Sequence, residues 1–199
     1  MDRKPIYVDM DNVLLAAIVD PKTEEPIDVL VRPGVKRFLE NLSIYGDLKL
    51  LSSASLSWVK IGLRAIGPVT KLFKEIYSGE DLYPIAMQIE VVEKAQGLTP
   101  ADRVELYQQI QPILAPGVIF DDFTVNSGMY RLKAIATGVM FLNSKLWIQV
   151  ERFSPTEPDR NGLAKAYAEF QKRNDAWRGR PAMGKKMAAS RLEMARSAR

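Results

Sequence analysis

Three short apolar runs in this chain each break off at small polar or acidic residues, and helical periodicity fills the stretches between them. Ile6–Val8 leads into Asp9-Met10-Asp11, Leu48–Leu51 into Ser52-Ser53-Ala54-Ser55, and Val118–Phe120 into Asp121-Asp122. Short β-type runs alternating with amphipathic helices predict a parallel sheet, because parallel neighbours need a crossover and a helix is the usual one. Ligands of an open parallel sheet bind at the carboxyl ends of its strands. If the three runs are parallel neighbours, four carboxylates and a hydroxyl meet in one crevice.

The remaining pattern fills in the same architecture. Leu15–Val19 and Ile27–Val31 flank the turn-rich DPKTEEP and predict a hairpin. Pro33 and Gly34 open a helix to about Ser43, with Val35, Phe38, Leu39 and Leu42 on one face. Helical pattern returns over Trp58–Ile66, Ile85–Ala95 and Pro100–Ile110, and Ile135–Leu142 is expected to hold another strand. Gly162–Trp177 aligns Leu163, Ala166, Tyr167, Phe170 and Trp177 in one stripe, which docks on the body or on a partner. Charge is split along the chain: 19 Lys/Arg face 22 Asp/Glu through residue 171, against 9 and 2 beyond it.

Composition narrows the chemistry. The 199 residues include no histidine and no cysteine, which excludes imidazole triads, phosphohistidine chemistry, thiol nucleophiles, disulfides and Cys/His zinc sites. Carboxylates, hydroxyls, Lys, Arg, Tyr and hard metals bound by oxygen remain. Asp9 and Asp11 interrupt the N-terminal apolar stretch where a signal peptide needs an uncharged core, and no run approaches the ~18 apolar residues of a membrane span. A cytoplasmic protein without membrane contact is expected.

Clustered anions repel one another unless a cation compensates, and oxygen-only ligands favour Mg²⁺, which commonly shares a phosphate with its substrate. Such a site suits phosphoryl transfer. One aspartate attacks phosphorus, and a second, two residues on, protonates the leaving oxygen and later deprotonates water. A hydroxyl and a lysine would hold the phosphoryl oxygens.

These residues resemble the haloacid dehalogenase (HAD) superfamily of phosphotransferases, whose first motif is a hydrophobic strand followed by Asp-x-Asp, here IYVDMDNVL. The resemblance implies Asp9 as nucleophile and Asp11 as general acid/base. It implies Ser53 as the phosphate-binding hydroxyl, and VIFDD as the metal motif, with Asp122 favoured over Asp121. The metal set is then Asp9, Asp11 through its backbone carbonyl, Asp121 and Asp122, with Mg²⁺ as cofactor. A narrower likeness runs through RPGVKRFLENLSIYGDLKLLSSAS, which is similar to the FCP/SCP (NLI-interacting-factor-like) branch and selects Ser53 over Ser52. The likeness covers roughly residues 5–142 and is weak between Leu56 and Ala115. In that weak stretch lies the lysine the family needs; Lys94, 27 residues before Asp121, is the choice, with Lys60, Lys71 and Lys74 as competitors. Read without the resemblance, Ser53 equally suits the cap of the next helix, and Arg32 suits a salt bridge anchoring the hairpin.

The expected fold is a Rossmann-like α/β domain of HAD type: a central parallel sheet flanked by helices, a small hairpin flap, no large cap and a C-terminal helical extension. Residues 1–150 are expected to form the catalytic domain, 151–177 a docking helix and 178–199 a basic, flexible tail. The expected activity is Mg²⁺-dependent phosphomonoester hydrolysis through an aspartyl-phosphate, the open site favouring a phosphoprotein or nucleic-acid-end substrate. Two alternatives stand beside it. One is a 5′-(deoxy)nucleotidase of the same superfamily, since DMDNVL is similar to the start of that group. The other is a weakly active or inactive scaffold that binds nucleic acid or another acidic partner through residues 172–199.

Overall fold

The computed structural model describes residues 3–23, 25–99, 117–122 and 146–177, together with Asp102, Glu105, Leu106 and Gln109. Its centre is a five-stranded parallel sheet made of β1 (Pro5–Asp9), β4 (Asp47–Leu51), β5 (Phe73–Tyr77), β6 (Val118–Asp121) and β7 (Leu146–Gln149). The spatial order is β5-β4-β1-β6-β7, so the chain starts at the middle, winds to one edge, then returns and fills the other. This is the doubly wound, Rossmann-like order, with its topological switch beside β1. β2 (Leu15–Val19) and β3 (Pro26–Val31) form the separate antiparallel hairpin the sequence predicts.

Alternation along the strands divides the core into two faces. Ile6, Val8, Leu48, Leu50, Val118, Phe120 and Ile148 point to one face. There they meet Val35, Phe38, Leu39 and Leu42 of α1 (Val35–Ser43), Val59 of α2 (Leu56–Ile66), and Leu163, Ala166 and Phe170 of α4 (Gly162–Trp177). Tyr7, Leu51, Tyr77 and Ile119 point the other way, onto Leu82, Ile85, Ile89 and Val92 of α3 (Gly79–Lys94). Phe120 sits between two helices, its ring 5.3 Å from Phe38 and 5.6 Å from Phe170. Leu163, Ala166, Tyr167 and Phe170 of the α4 stripe are thus spent on the body of the protein.

Two elements differ from the sequence reading. β5 was not expected, and the fifth strand is Leu146–Gln149; Ile135–Leu142 lies outside the described residues. Of the helix expected over Pro100–Ile110, the described residues Asp102, Glu105, Leu106 and Gln109 are helical. The tail beyond Trp177 also lies outside the described residues. Among the described residues no helix is long and apolar enough to cross a membrane.

Arg32 anchors the hairpin, as its position before Pro33-Gly34 suggests. Its guanidinium donates to the Val13 carbonyl at 3.2 Å and to Asp159 at 2.8 Å, and it lies over the Phe153 ring at 5.3 Å. The bond from Arg32 holds the Asp159 carboxyl below the usual carboxylate range, helped by the Gly162 N–H. Gly162 must be glycine here, since a Cβ would lie 2.0 Å from the Arg32 guanidinium.

Candidate active site

The parallel register sets the acidic groups side by side. Asp9 closes β1 opposite Leu51 of β4, and Asp121 closes β6 one residue beyond the Val8–Phe120 pairing. Asp9 and Asp121 are buried and Asp122 is half-buried. One carboxylate oxygen from each of the three lies within 4.8 Å of the others. Like charges this close and out of water repel strongly. Three carboxylates without nitrogen or sulfur fit a hard divalent cation, so Asp9, Asp121 and Asp122 could bind a metal.

Asp11 stands apart from that cluster, on a tight loop after β1. Asn12 takes a positive φ of 60°, which asparagine tolerates better than most residues. Its N–H donates to the Leu15 carbonyl, its carbonyl accepts from Phe153 N–H, and both bonds are 2.7 Å. The loop aims the Asp11 side chain at the end of β4 and the start of α2. Oδ1 accepts from the Trp58 indole Nε1 at 2.8 Å, and Oδ2 accepts from the Ser52 hydroxyl at 3.2 Å. Ser52 Oγ in turn accepts from Ala54 N–H at 3.1 Å.

The neighbouring serines divide the remaining work. Ser53 is half-buried, and among the described residues its hydroxyl has no hydrogen-bond partner. The cap of α2 falls to Ser55, whose side chain accepts from Trp58 N–H at 3.4 Å. Glu80, in the first turn of α3, adds its carboxylate to the Leu56 N–H at 2.8 and 3.0 Å, and that bond holds its carboxyl below the ordinary range. α3 begins hard against this strand end: a Cβ on Gly79 would lie 2.6 Å from the Ser53 carbonyl.

The structure does not bring Lys94 to these groups. α3 starts beside Ser53 at the carboxyl edge of the sheet and runs 16 residues, about 24 Å, with Lys94 in its last turn. There it is exposed and ion-paired with Glu90 at 2.8 Å. Lys60, Lys71 and Lys74 are exposed as well. Among the described residues, Arg152 lies beside a site carboxylate, its Nε 3.9 Å from Asp122 Oδ2. Its segment is seated by Val150 N–H on the Asp121 carbonyl at 2.8 Å and Phe153 N–H on Asn12.

Sequence reasoning therefore missed Trp58 and Arg152 and set Ser52 aside. Trp58 had a signal, since it stands three residues after a capping serine and so in the first turn of a helix that starts at a strand end. Arg152 had none, because β7 was not anticipated.

The arrangement defines an α/β protein with an acidic cluster, which could hold a metal, at the carboxyl edge of a parallel sheet. No protein-family model and no curated protein matches the chain. Among solved structures it is similar to Fcp1, an essential RNA polymerase II CTD phosphatase, at 16% identity and a TM-score of 0.45, over 85% of this chain and 49% of that one. A variant of the fission yeast CTD phosphatase Fcp1 bound to beryllium fluoride gives the same identity and TM-score over 84% of this chain. An inactive mutant of the HAD domain of the effector protein Lem4 from Legionella pneumophila is similar at 15% identity and a TM-score of 0.44, over 85% of this chain and 93% of that one. The chain spans about half the length of the Fcp1 chains it matches.

Proposed function

We propose that this protein hydrolyses phosphomonoesters through a covalent phosphoryl-aspartate on Asp9. The observation that supports this most is the meeting of Asp9, Asp11, Ser52, Ser53, Asp121 and Asp122 at the carboxyl ends of three adjacent parallel strands. The order along the chain matches the motif order of the superfamily it resembles. Asp9 attacks phosphorus, and Asp11 gives a proton to the departing oxygen. Water then loses a proton to Asp11 and attacks phosphorus, which frees Asp9. The Ser53 hydroxyl holds a phosphoryl oxygen. Asp9, Asp121 and Asp122 would hold Mg²⁺, which supplies positive charge against the phosphate. Arg152 takes the phosphate-facing role that sequence assigns to Lys94.

The substrate is a phosphate on a large molecule, a phosphoprotein or a nucleic-acid end. This reading is supported, among the described residues, by α4 packing Leu163, Ala166 and Phe170 into the core and β3 packing beside α2, so that neither forms a large cap. The test is hydrolysis of 4-nitrophenyl phosphate, with Mg²⁺ and with chelator, by wild type and Asp9→Asn. Turnover that needs metal and Asp9 is expected, whereas turnover retained by Asp9→Asn would remove Asp9 as nucleophile.

A further inference from the structure

The Ser53 hydroxyl has no hydrogen-bond partner among the described residues, so its place is set by the backbone that carries it. That backbone is tied to the junction between β5 and α3. Ser52 N–H donates to the Tyr77 carbonyl at 2.9 Å, and Gly79 N–H donates to the Ala54 carbonyl at 2.7 Å. The next group along this row is Leu56 N–H, at the start of α2. Past Gly79 the chain winds into α3, whose early carbonyls accept within the helix. The Glu80 side chain takes the Leu56 N–H instead, its two oxygens at 2.8 and 3.0 Å.

The junction that offers these bonds is itself firmly built. Ser78 is buried, and Asp81 accepts from both its N–H and its hydroxyl, at 2.8 and 2.9 Å. Gly79 lies hard against the Ser53 carbonyl. The serine stretch is thus held at Ser52 and Ala54 by backbone, and at Leu56 by one side chain.

We infer that Glu80 is a positioning residue, which closes this row of bonds at Leu56 and so holds Ser53 in place for a phosphoryl oxygen. This rests on the phosphomonoesterase reading above, which makes Ser53 the phosphate-holding hydroxyl. A carboxylate here could also act through its charge, by favouring the N-terminus of α3 or by repelling an anionic substrate. Reach and charge separate by substitution. Glu80→Gln keeps an acceptor oxygen at the same reach and loses the charge. Glu80→Asp keeps the charge and, one carbon shorter, gives up the bond to Leu56.

The experiment measures the affinity for inorganic phosphate in Mg²⁺ by calorimetry, with KM and kcat for 4-nitrophenyl phosphate alongside. The proteins are wild type, Glu80→Gln, Glu80→Asp, Glu80→Ala, Ser53→Ala and the Ser53→Ala, Glu80→Ala double variant. We expect Glu80→Asp and Glu80→Ala to weaken phosphate binding and raise KM about tenfold, and Glu80→Gln to stay within about twofold of wild type. Because Ser53 holds phosphate before and during reaction, kcat should change far less than KM. The double variant should match Ser53→Ala alone. A merely structural role would lower kcat through the folded fraction and leave KM and phosphate affinity unmoved, which overturns the inference. Glu80→Asp matching wild type, or additive losses in the double variant, overturns it too. A wild type that binds phosphate without turnover removes the hydrolysis reading, and the phosphate affinities alone then decide the role of Glu80. A wild type that does neither overturns both.

Discussion

Arg32 and Asp159 meet across 127 residues of sequence, with opposite charges and a 2.8 Å bond, while Asp9, Asp121 and Asp122 bring three like charges within 4.8 Å. Both groups sit largely out of water near the loop after β1. The first is satisfied in large part: carboxylate, carbonyl and aromatic face all meet one guanidinium, whose Nε has no hydrogen-bond partner among the described residues. The second offers a cation a place to bind. A protein places a buried pair where it needs a fixed loop, and buried like charges where it needs a ligand. The fixed loop is the one that carries Asp11, so the pair serves the cluster.

The comparison can be broken from either side. The largest effect should come from Asp9→Asn, which we expect to lower turnover by at least about a thousandfold, as loss of a nucleophile does. Its melting temperature should stay level or rise, since one repelling charge is gone; a large fall would place Asp9 in the structure rather than the chemistry. Next comes Arg32→Ala, which strands Asp159 and removes the anchor. Breaking a buried pair costs about 3–5 kcal/mol, or roughly 10 °C in a domain of this size. Calorimetry that found the variant as stable as wild type would reduce the pair to a surface contact.

Metal addition sharpens the other side. Mg²⁺ at a hundredfold excess over its dissociation constant should stabilise wild type by about 2.7 kcal/mol, and Asp121→Asn should lose most of that gain. The smallest effect is the pH dependence of the pair. The folded-state pKa of Asp159 is depressed, so its contribution is full above the ordinary carboxylate range and is lost as pH falls through the folded value. Acid titration of stability should therefore be steeper in wild type than in Asp159→Asn below about pH 4.

The strands that carry the acidic groups were legible because each is a buried apolar run, and buried runs read the same in any register. β5 was not. Its middle is Lys74-Glu75-Ile76, it lies at the sheet edge with Ile76 exposed, and Glu75 pairs across to Lys49 at 2.8 Å. An edge strand of that kind carries no apolar signature. Lys94 illustrates a different limit: spacing from Asp121 was a sequence distance, and a helix turned it into a spatial separation. Between Ser52 and Ser53 the motif picks one residue while the geometry shows the other bonded to Asp11, because adjacent strand-end residues face opposite sides. Trp58 became visible only when α2 was set against the loop after β1.

The bonds from Val150 to Asp121 and from Phe153 to Asn12 have a consequence for how the molecule comes into being. A nascent chain that has emerged through residue 122 already holds every carboxylate of the crevice. It lacks the strand and the turn that seat the loops bearing them, and these follow later in the chain. Contacts of such long sequence separation form late. The crevice is therefore seated only once residues 146–153 have joined a sheet whose other four strands precede them in the chain.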